Sequence, residues 1–240
     1  MLDEALLRLA AERGARLRRG KRVVELDAEA DGARARLEDD DIVEAATVFL
    51  ATGKHDLRGW RRPAGRQGDL VAFKQHFTLD PSQTAALTGG VELALFQGGY
   101  AGLEPIEDGY ANLCLVVRQR RFAELGQNWD DLMGSLLRES PHLARRLAGA
   151  VPATSRPLAV STIPYGYIRR QANQVWRLGD QAAVIPSFAG DGMSIALHSA
   201  RLAASCYLAG DDADALQRRL ARDVARPVRV ATGLSRLLVR

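Results

Sequence analysis

The stretch Gln174–Leu208, QVWRLGDQAAVIPSFAGDGMSIALHSARLAASCYL, decides how this 240-residue chain is read. Alternation over Gln174–Leu178 predicts a strand that ends at Gly179-Asp180. A short apolar loop with Pro186 follows. Gly190-Asp191-Gly192 then opens a predicted helix over Gly192–Leu208, with Met193, Ile195, Ala196, Leu197, Ala200, Ala203 and Ala204 as its small and apolar contacts. Toward the C-terminus, a further helical stretch is expected over 211–224, where it meets Pro227. The end beyond it reads as an exposed helix or a tail.

Before this stretch the pattern changes period. Residues 2–13 place Leu2, Leu6, Leu9 and Ala10 on one helical face, with Gly14 as a stop. Arg22–Asp27 and Ala33–Glu38 read as strands joined by an Asp31-Gly32 hairpin signal. Thr47–Ala51 reads as a strand buried on both faces, ending in Thr52-Gly53. Residues 54–70 are a polar loop rich in Gly and Arg. Val71–Leu79, Val91–Gln97 and Tyr110–Val117 are strand-like, with Gly98–Gly102 and Asp108-Gly109 as bends or turns between them. Residues 128–149 carry one or two helices, capped by Asn128 or Asp130 and broken at Pro141, and Leu158–Pro164 is a further strand candidate. The order fits a mixed α/β (α+β) chain, a nucleotide-binding layer interrupted by a β-rich insertion.

The 174–208 stretch has a chemical logic. A carboxylate at a strand's C-terminal end points into the crevice where α/β sheets bind ligands, and there it can accept hydrogen bonds from ribityl or ribose hydroxyls. Glycines at a helix entry let the backbone approach a ring system. The free N–H groups of the helix N-terminus favour an anionic or oxyanion-like edge, such as that of a reduced flavin.

Gly179-Asp180, Pro186 six positions on, and Gly190-Asp191-Gly192 together resemble the second FAD fingerprint of the para-hydroxybenzoate hydroxylase-like flavoproteins. That superfamily includes ubiquinone-pathway hydroxylases, geranylgeranyl reductases and flavin halogenases. TVFLATG (47–53) resembles the strand that approaches the FAD, and LDEALLRLAAERGAR the helix before it. FQGGYAGLEPIEDGYANLCLVV (96–117) resembles the substrate-domain sheet of the reductase and hydroxylase branches.

The resemblance implies an FAD-binding Rossmann-like layer with an inserted β-rich substrate domain. Residues 1–70 and 158–210 would form the flavin part, 71–157 the substrate part and 211–240 a C-terminal helical segment. Asp180 would bind the ribityl chain, and Gly190, Gly192 and Met193 would present backbone to the isoalloxazine. Gly179, Pro186, Asp191, Thr52 and Gly53 complete the candidate cofactor residues. The implied activity is an FAD-dependent monooxygenase or reductase acting on an apolar or aromatic small molecule, with NAD(P)H as candidate electron donor. The alternative is a non-catalytic remnant or small-molecule-binding module without flavin. Tyr100, Tyr110, Tyr165 and Tyr167 are pocket candidates, and no residue stands out as a catalytic acid or base.

The strand–GxGxxG–helix unit that holds the pyrophosphate in this superfamily does not occur within these 240 residues. Three origins fit: a reading frame that begins downstream of the true start, a truncated gene, or a separate polypeptide that supplies the other half.

Composition narrows the classes further. The net charge of +4 comes from 33 basic and 29 acidic residues. Only Lys21, Lys54 and Lys74 are lysines, and acidic residues such as Glu38–Asp41 are interspersed, so the basic stripe of a nucleic-acid binder is missing. Cys114 and Cys206 lack a CxxC neighbour, and His55, His76, His142 and His198 form no HxH or HxxxH pair, so no metal is expected. Nothing resembles a signal peptide or a run of roughly 18 apolar residues. A reduced, cytoplasmic protein without a membrane span is the expectation.

Overall fold

The computed structural model describes residues 2–29 and 32–240, which divide into two compact units, Met1–Val48 with Asp56–Arg61 and Phe49–His55 with Arg62–Arg240. In the first unit, α1 (Leu2–Glu12) buries no residue; Leu2, Leu6 and Leu9, the expected apolar face, are all exposed. β1 (Val23–Glu29), β2 (Gly32–Leu37) and β3 (Ile42–Ala45) form an antiparallel sheet in that order. β1 and β2 pair as an antiparallel hairpin as expected, but Gly32, expected in the turn, is the first residue of β2 and pairs with Glu29; Asp31 lies outside the described residues. β3 had no sequence signal because all four of its residues are exposed and show no alternation. Leu26 and Leu37 are buried here, and Trp60 Nε1 donates to the Leu26 carbonyl at 2.8 Å.

The second unit runs β4 (Phe49–Leu50), β5 (Leu70–Thr78), α2 (Pro81–Leu87), β6 (Glu92–Phe96), β7 (Gly99–Pro105) and β8 (Tyr110–Arg118). It continues through α3 (Gln119–Glu124), α4 (Trp129–Glu139), α5 (Pro141–Arg146), β9 (Val151–Pro152), β10 (Leu158–Ser161) and β11 (Trp176–Arg177). α6 (Gly192–Leu208) and α7 (Ala213–Leu238) end it. Five strands make an antiparallel sheet in the order β10-β5-β8-β7-β6, with β9 pairing β5. One face packs Phe73, Leu103, Leu113 and Leu115 against Leu132, Leu136 and Leu143 of α4 and α5. The other packs Leu70, Tyr100 and Val116 against Ile163, Tyr165, Val184 and Phe188. Side chains alternate across a strand, so both faces of these strands read as apolar where both are covered. Asn128 caps α4 through its side-chain oxygen, and Pro141 occupies the first turn of α5, as the sequence indicates.

Three expectations are corrected. Gly98–Gly102 is not a bend: only Gly98, at φ +79°, turns the chain, and Gly99 onward is β7. Gly99 is there because of packing, since a Cβ on it would lie 2.4 Å from both the Phe96 ring and the Val116 carbonyl. The helix expected over 211–224 runs through Pro227 to Leu238. Leu220, Val224, Val228 and Ala231 pack against Ile185 and Ile195, and this burial outweighs the roughly 3 kcal/mol that an interior proline costs. The strand at 47–51 shrinks to β4, which pairs in parallel with an equally short β11, and Phe49 is 40% exposed rather than buried.

α5 is held to β6 by one carboxylate. Glu92 accepts hydrogen bonds from Arg146 Nε (2.8 Å) and Nη2 (2.6 Å), and His142 Nε2 lies 2.9 Å from it. The Arg146 bond, then that of His142, holds the Glu92 carboxyl below its ordinary value. A lowered folded pKa stabilises the fold above the unfolded value, and this contribution is lost as pH falls through the folded one. Glu92→Gln is therefore expected to lower the melting temperature at neutral pH, with the gap closing in acid. Thermal melts across that range check this; a gap that persists in acid would contradict it.

Candidate functional site

Two chain crossings build the site. After β11, Gly179–Gln181 form one tight turn, with Gly179 at φ +54°. Its N–H donates to Ser199 Oγ of α6 (2.9 Å), and a Cβ there would lie 3.4 Å from Ala196 Cβ. Gln181 is fully buried, and its Nε2 donates to the carbonyls of Gly53 and His55, both at 3.0 Å. Arg62, 8% exposed, donates to the carbonyls of Asp180 (2.6 Å) and Lys54 (2.7 Å). The loop after β4 and the turn after β11 are thereby locked together. Thr52, Gly53, Gly179 and Asp180, chosen from distant parts of the sequence, meet here.

Sequence reasoning missed the residues that do the locking. Arg62 had no signal within its polar loop. Gln181 had a faint one, as the amide directly before the apolar run Ala182–Ile185.

The Asp180 carboxylate is half-buried and accepts no hydrogen bond from any described residue. Burial pushes its carboxyl above the ordinary value, against the pull of Lys54 and Arg62. A partly dehydrated carboxylate without a donor suits ligand hydroxyl groups, which would supply the missing hydrogen bonds.

Past the buried Pro186, Ser187–Ala189 make another short turn, and Gly190 at φ +73° aims the chain into α6. Asp191 gives this helix no side-chain cap. The first-turn N–H groups thus keep their capacity for an outside acceptor. A Cβ on Gly190 or Gly192 would meet nothing within 4 Å, so the backbone borders open space, and Met193 is 65% exposed. A carboxylate awaiting hydroxyls, an uncapped helix and bare backbone beside it fit the ribityl chain and ring edge of a flavin.

Gly190 also borders a cavity of about 440 Å³ between β6, β7 and the Ser187–Gly190 turn. Tyr165 donates to Ser187 Oγ at 2.9 Å, and the Tyr100 hydroxyl lies 3.1 Å from the same oxygen. Burial pushes both phenols up, Tyr165 well above the usual tyrosine value, so both remain neutral hydroxyls. Of the four tyrosine candidates only Tyr100 lines this cavity. Tyr165 stands behind it, Tyr167 is buried in the same core, and Tyr110 is 37% exposed at the start of β8. Among the described residues no group of three or more His, Cys, Asp or Glu is arranged to hold a metal, and both cysteines are free. No helix among the described residues is long and apolar enough to cross a membrane.

The fold is α/β, similar to that of flavin-dependent halogenases. It resembles the myxobacterial chondrochloren halogenase CndH, an FAD-dependent halogenase (TM-score 0.77, 21% identity, 95% of this chain and 57% of that one). It is also similar to the halogenase PltM (0.77, 14% identity, 96% and 51%). Klebsiella pneumoniae HpxO, solved with FAD and uric acid, has a TM-score of 0.68 at 18% identity, with 99% and 62% covered. By sequence, the chain is 26% identical over 252 residues to the menaquinone reductase of Mycolicibacterium smegmatis, covering 99% of this chain and 60% of that protein. The chain thus spans about three-fifths of the length of that curated relative. No protein-family model matches it.

Proposed function

We propose that this chain is the ribityl-and-ring side of an FAD-dependent oxidoreductase, a monooxygenase or reductase acting on an apolar or aromatic small molecule, with NAD(P)H as electron donor. The observation that carries this reading is the Asp180 carboxylate, half-buried without a donor, in the turn after β11 that packs on α6 at Ala196 and Ser199, a helix whose start is uncapped. Asp180 would accept hydrogen bonds from ribityl hydroxyls. The Gly190–Met193 backbone would face the ring, with Thr52, Gly53, Gly179, Pro186 and Asp191 shaping the approach. FAD, when bound, supplies the redox chemistry. Residues 1–70 and 158–210 then make the flavin part, 71–157 the substrate part and 211–240 a helical support.

Gly190 touches both the flavin-side helix entry and the cavity, which supports a substrate held next to the ring. The neutral hydroxyls of Tyr100 and Ser187 can hold a polar group of that substrate or exchange a proton with it. The name of the mycobacterial relative supports a quinone as one such substrate. β4 has β11 as its strand partner and shows Phe49 at its surface, which suits a further strand–helix unit carrying the pyrophosphate site.

Titrating FAD into the purified chain tests the reading. Saturable, one-to-one quenching of flavin fluorescence is the expected result. A colourless protein that takes up no FAD would leave only the binding-module alternative.

A further inference from the structure

The cavity beside Gly190 has a patterned floor that the flavin reading does not use. Residues two apart on a strand share a face, so Tyr100, Gly102 and Glu104 of β7 lie on one side. Cross-strand pairing puts Leu93 of β6 and Cys114 of β8 on either flank of Gly102. Tyr100 and Glu104 are thus about 13 Å apart along the strand, at ~3.3 Å per residue.

Between them Gly102 presents no side chain, and the sheet itself does not require a glycine there. It sits in regular pairing, and a Cβ would meet only the Cys114 carbonyl, at 3.9 Å. The missing side chain leaves a slot. Leu93 and Phe188 make its walls apolar.

Glu104 is the charged residue of the cavity lining. Its Oε1 accepts from Asn112 Nδ2 at 2.9 Å, and Asn112, its partner on β8, is 6% exposed, so the carboxylate is held from the neighbouring strand. No described cation pairs with it. A carboxylate can only accept hydrogen bonds, and in an apolar slot it favours a ligand that brings a donor to it.

We propose that Glu104, oriented by Asn112, selects a planar aromatic ligand seated over Gly102, with a hydroxyl at the end remote from Tyr100. That this ligand is the substrate rests on the flavin reading; the binding preference does not. Asn112 is the positioning residue.

Calorimetric titration of the full chain with 2-naphthol and with 2-methoxynaphthalene, each with and without saturating FAD, tests this. The naphthol is expected to bind about tenfold tighter or more, since its ether cannot donate a charge-assisted hydrogen bond. Glu104→Leu should abolish that preference, leaving the ether's affinity nearly unchanged. Gly102→Val should weaken both ligands while preserving the unfolding midpoint, because valine suits a strand. Equal affinity for the two ligands, no binding of either, or a preference that survives Glu104→Leu would overturn the proposal. FAD binding is read separately on the same samples. A naphthol preference without FAD uptake leaves the ligand selection standing and removes the flavin reading; FAD uptake without the preference does the opposite.

Discussion

Replacing Asp180 with alanine is expected to raise the dissociation constant for FAD by about ten- to a hundred-fold while leaving the fold intact. Hydrogen bonds to a charged group contribute roughly 1.5–3 kcal/mol each, and each 1.4 kcal/mol is about tenfold in affinity. The apo protein loses nothing comparable, because no described residue donates to this carboxylate. It should gain instead. Burial raises the folded carboxyl above its ordinary value, so the folded state holds its proton more tightly than the unfolded one. Stability then falls as pH rises through that window, and above it the ionised group carries the full penalty. Asp180→Asn should therefore melt above the native protein at neutral pH, with the difference vanishing in acid as the native carboxyl protonates. Fluorescence titration with FAD and melts over the same pH range are the measurements. An alanine variant that binds FAD as well as the native chain would remove Asp180 from the site.

Gln181→Leu is expected to cost about 1–3 kcal/mol, read as a shift of the urea midpoint. Leucine preserves the bulk but leaves the half-buried Gly53 carbonyl without the amide, while the His55 carbonyl keeps its bond from Thr52 Oγ1, and it removes an acceptor from Arg177 Nη1, now 3.2 Å from Gln181 Oε1. A buried polar group deprived of a partner costs roughly 1–3 kcal/mol. Because the same amide fastens the Thr52–His55 loop to the Asp180 turn, FAD affinity should fall together with stability. Limited proteolysis should cut the freed loop sooner. A variant within ~0.5 kcal/mol of the native protein, the range of an ordinary surface change, would show that Arg62 alone fastens the two segments.

α6 was legible because its determinants are local. A glycine entry, a small-residue periodicity and the length of the run place it at Gly192–Leu208, where the structure has it. β5, β6 and β8 were legible because their apolar runs lie within a residue or two of the final strands. β7 was misread because glycine is ambiguous in one dimension. At Gly98 it turns the chain, while one residue later it admits the Phe96 ring and a neighbouring strand's carbonyl. Pro227 was misread because the burial that carries α7 past it comes from Ile185 and Ile195, far away in the chain.

The candidate cofactor residues divide in the same way. Asp180, Gly190 and Gly192 could be named from sequence because strand-end carboxylate, helix entry and glycine spacing are short-range features. By itself the sequence determined the elements and their order: a β-rich middle, then a strand, a Gly-Asp turn and a glycine-led helix. Only the tertiary structure decided that Thr52 and Gly53 join Asp180, that Gly190 borders the cavity, and that Glu104 overlooks an empty step at Gly102. The physical reason is range. Periodicity and turn chemistry act over a few residues, whereas the Gln181–Gly53 and Arg62–Asp180 hydrogen bonds close 128 and 118 residues of chain, beyond the reach of any local pattern.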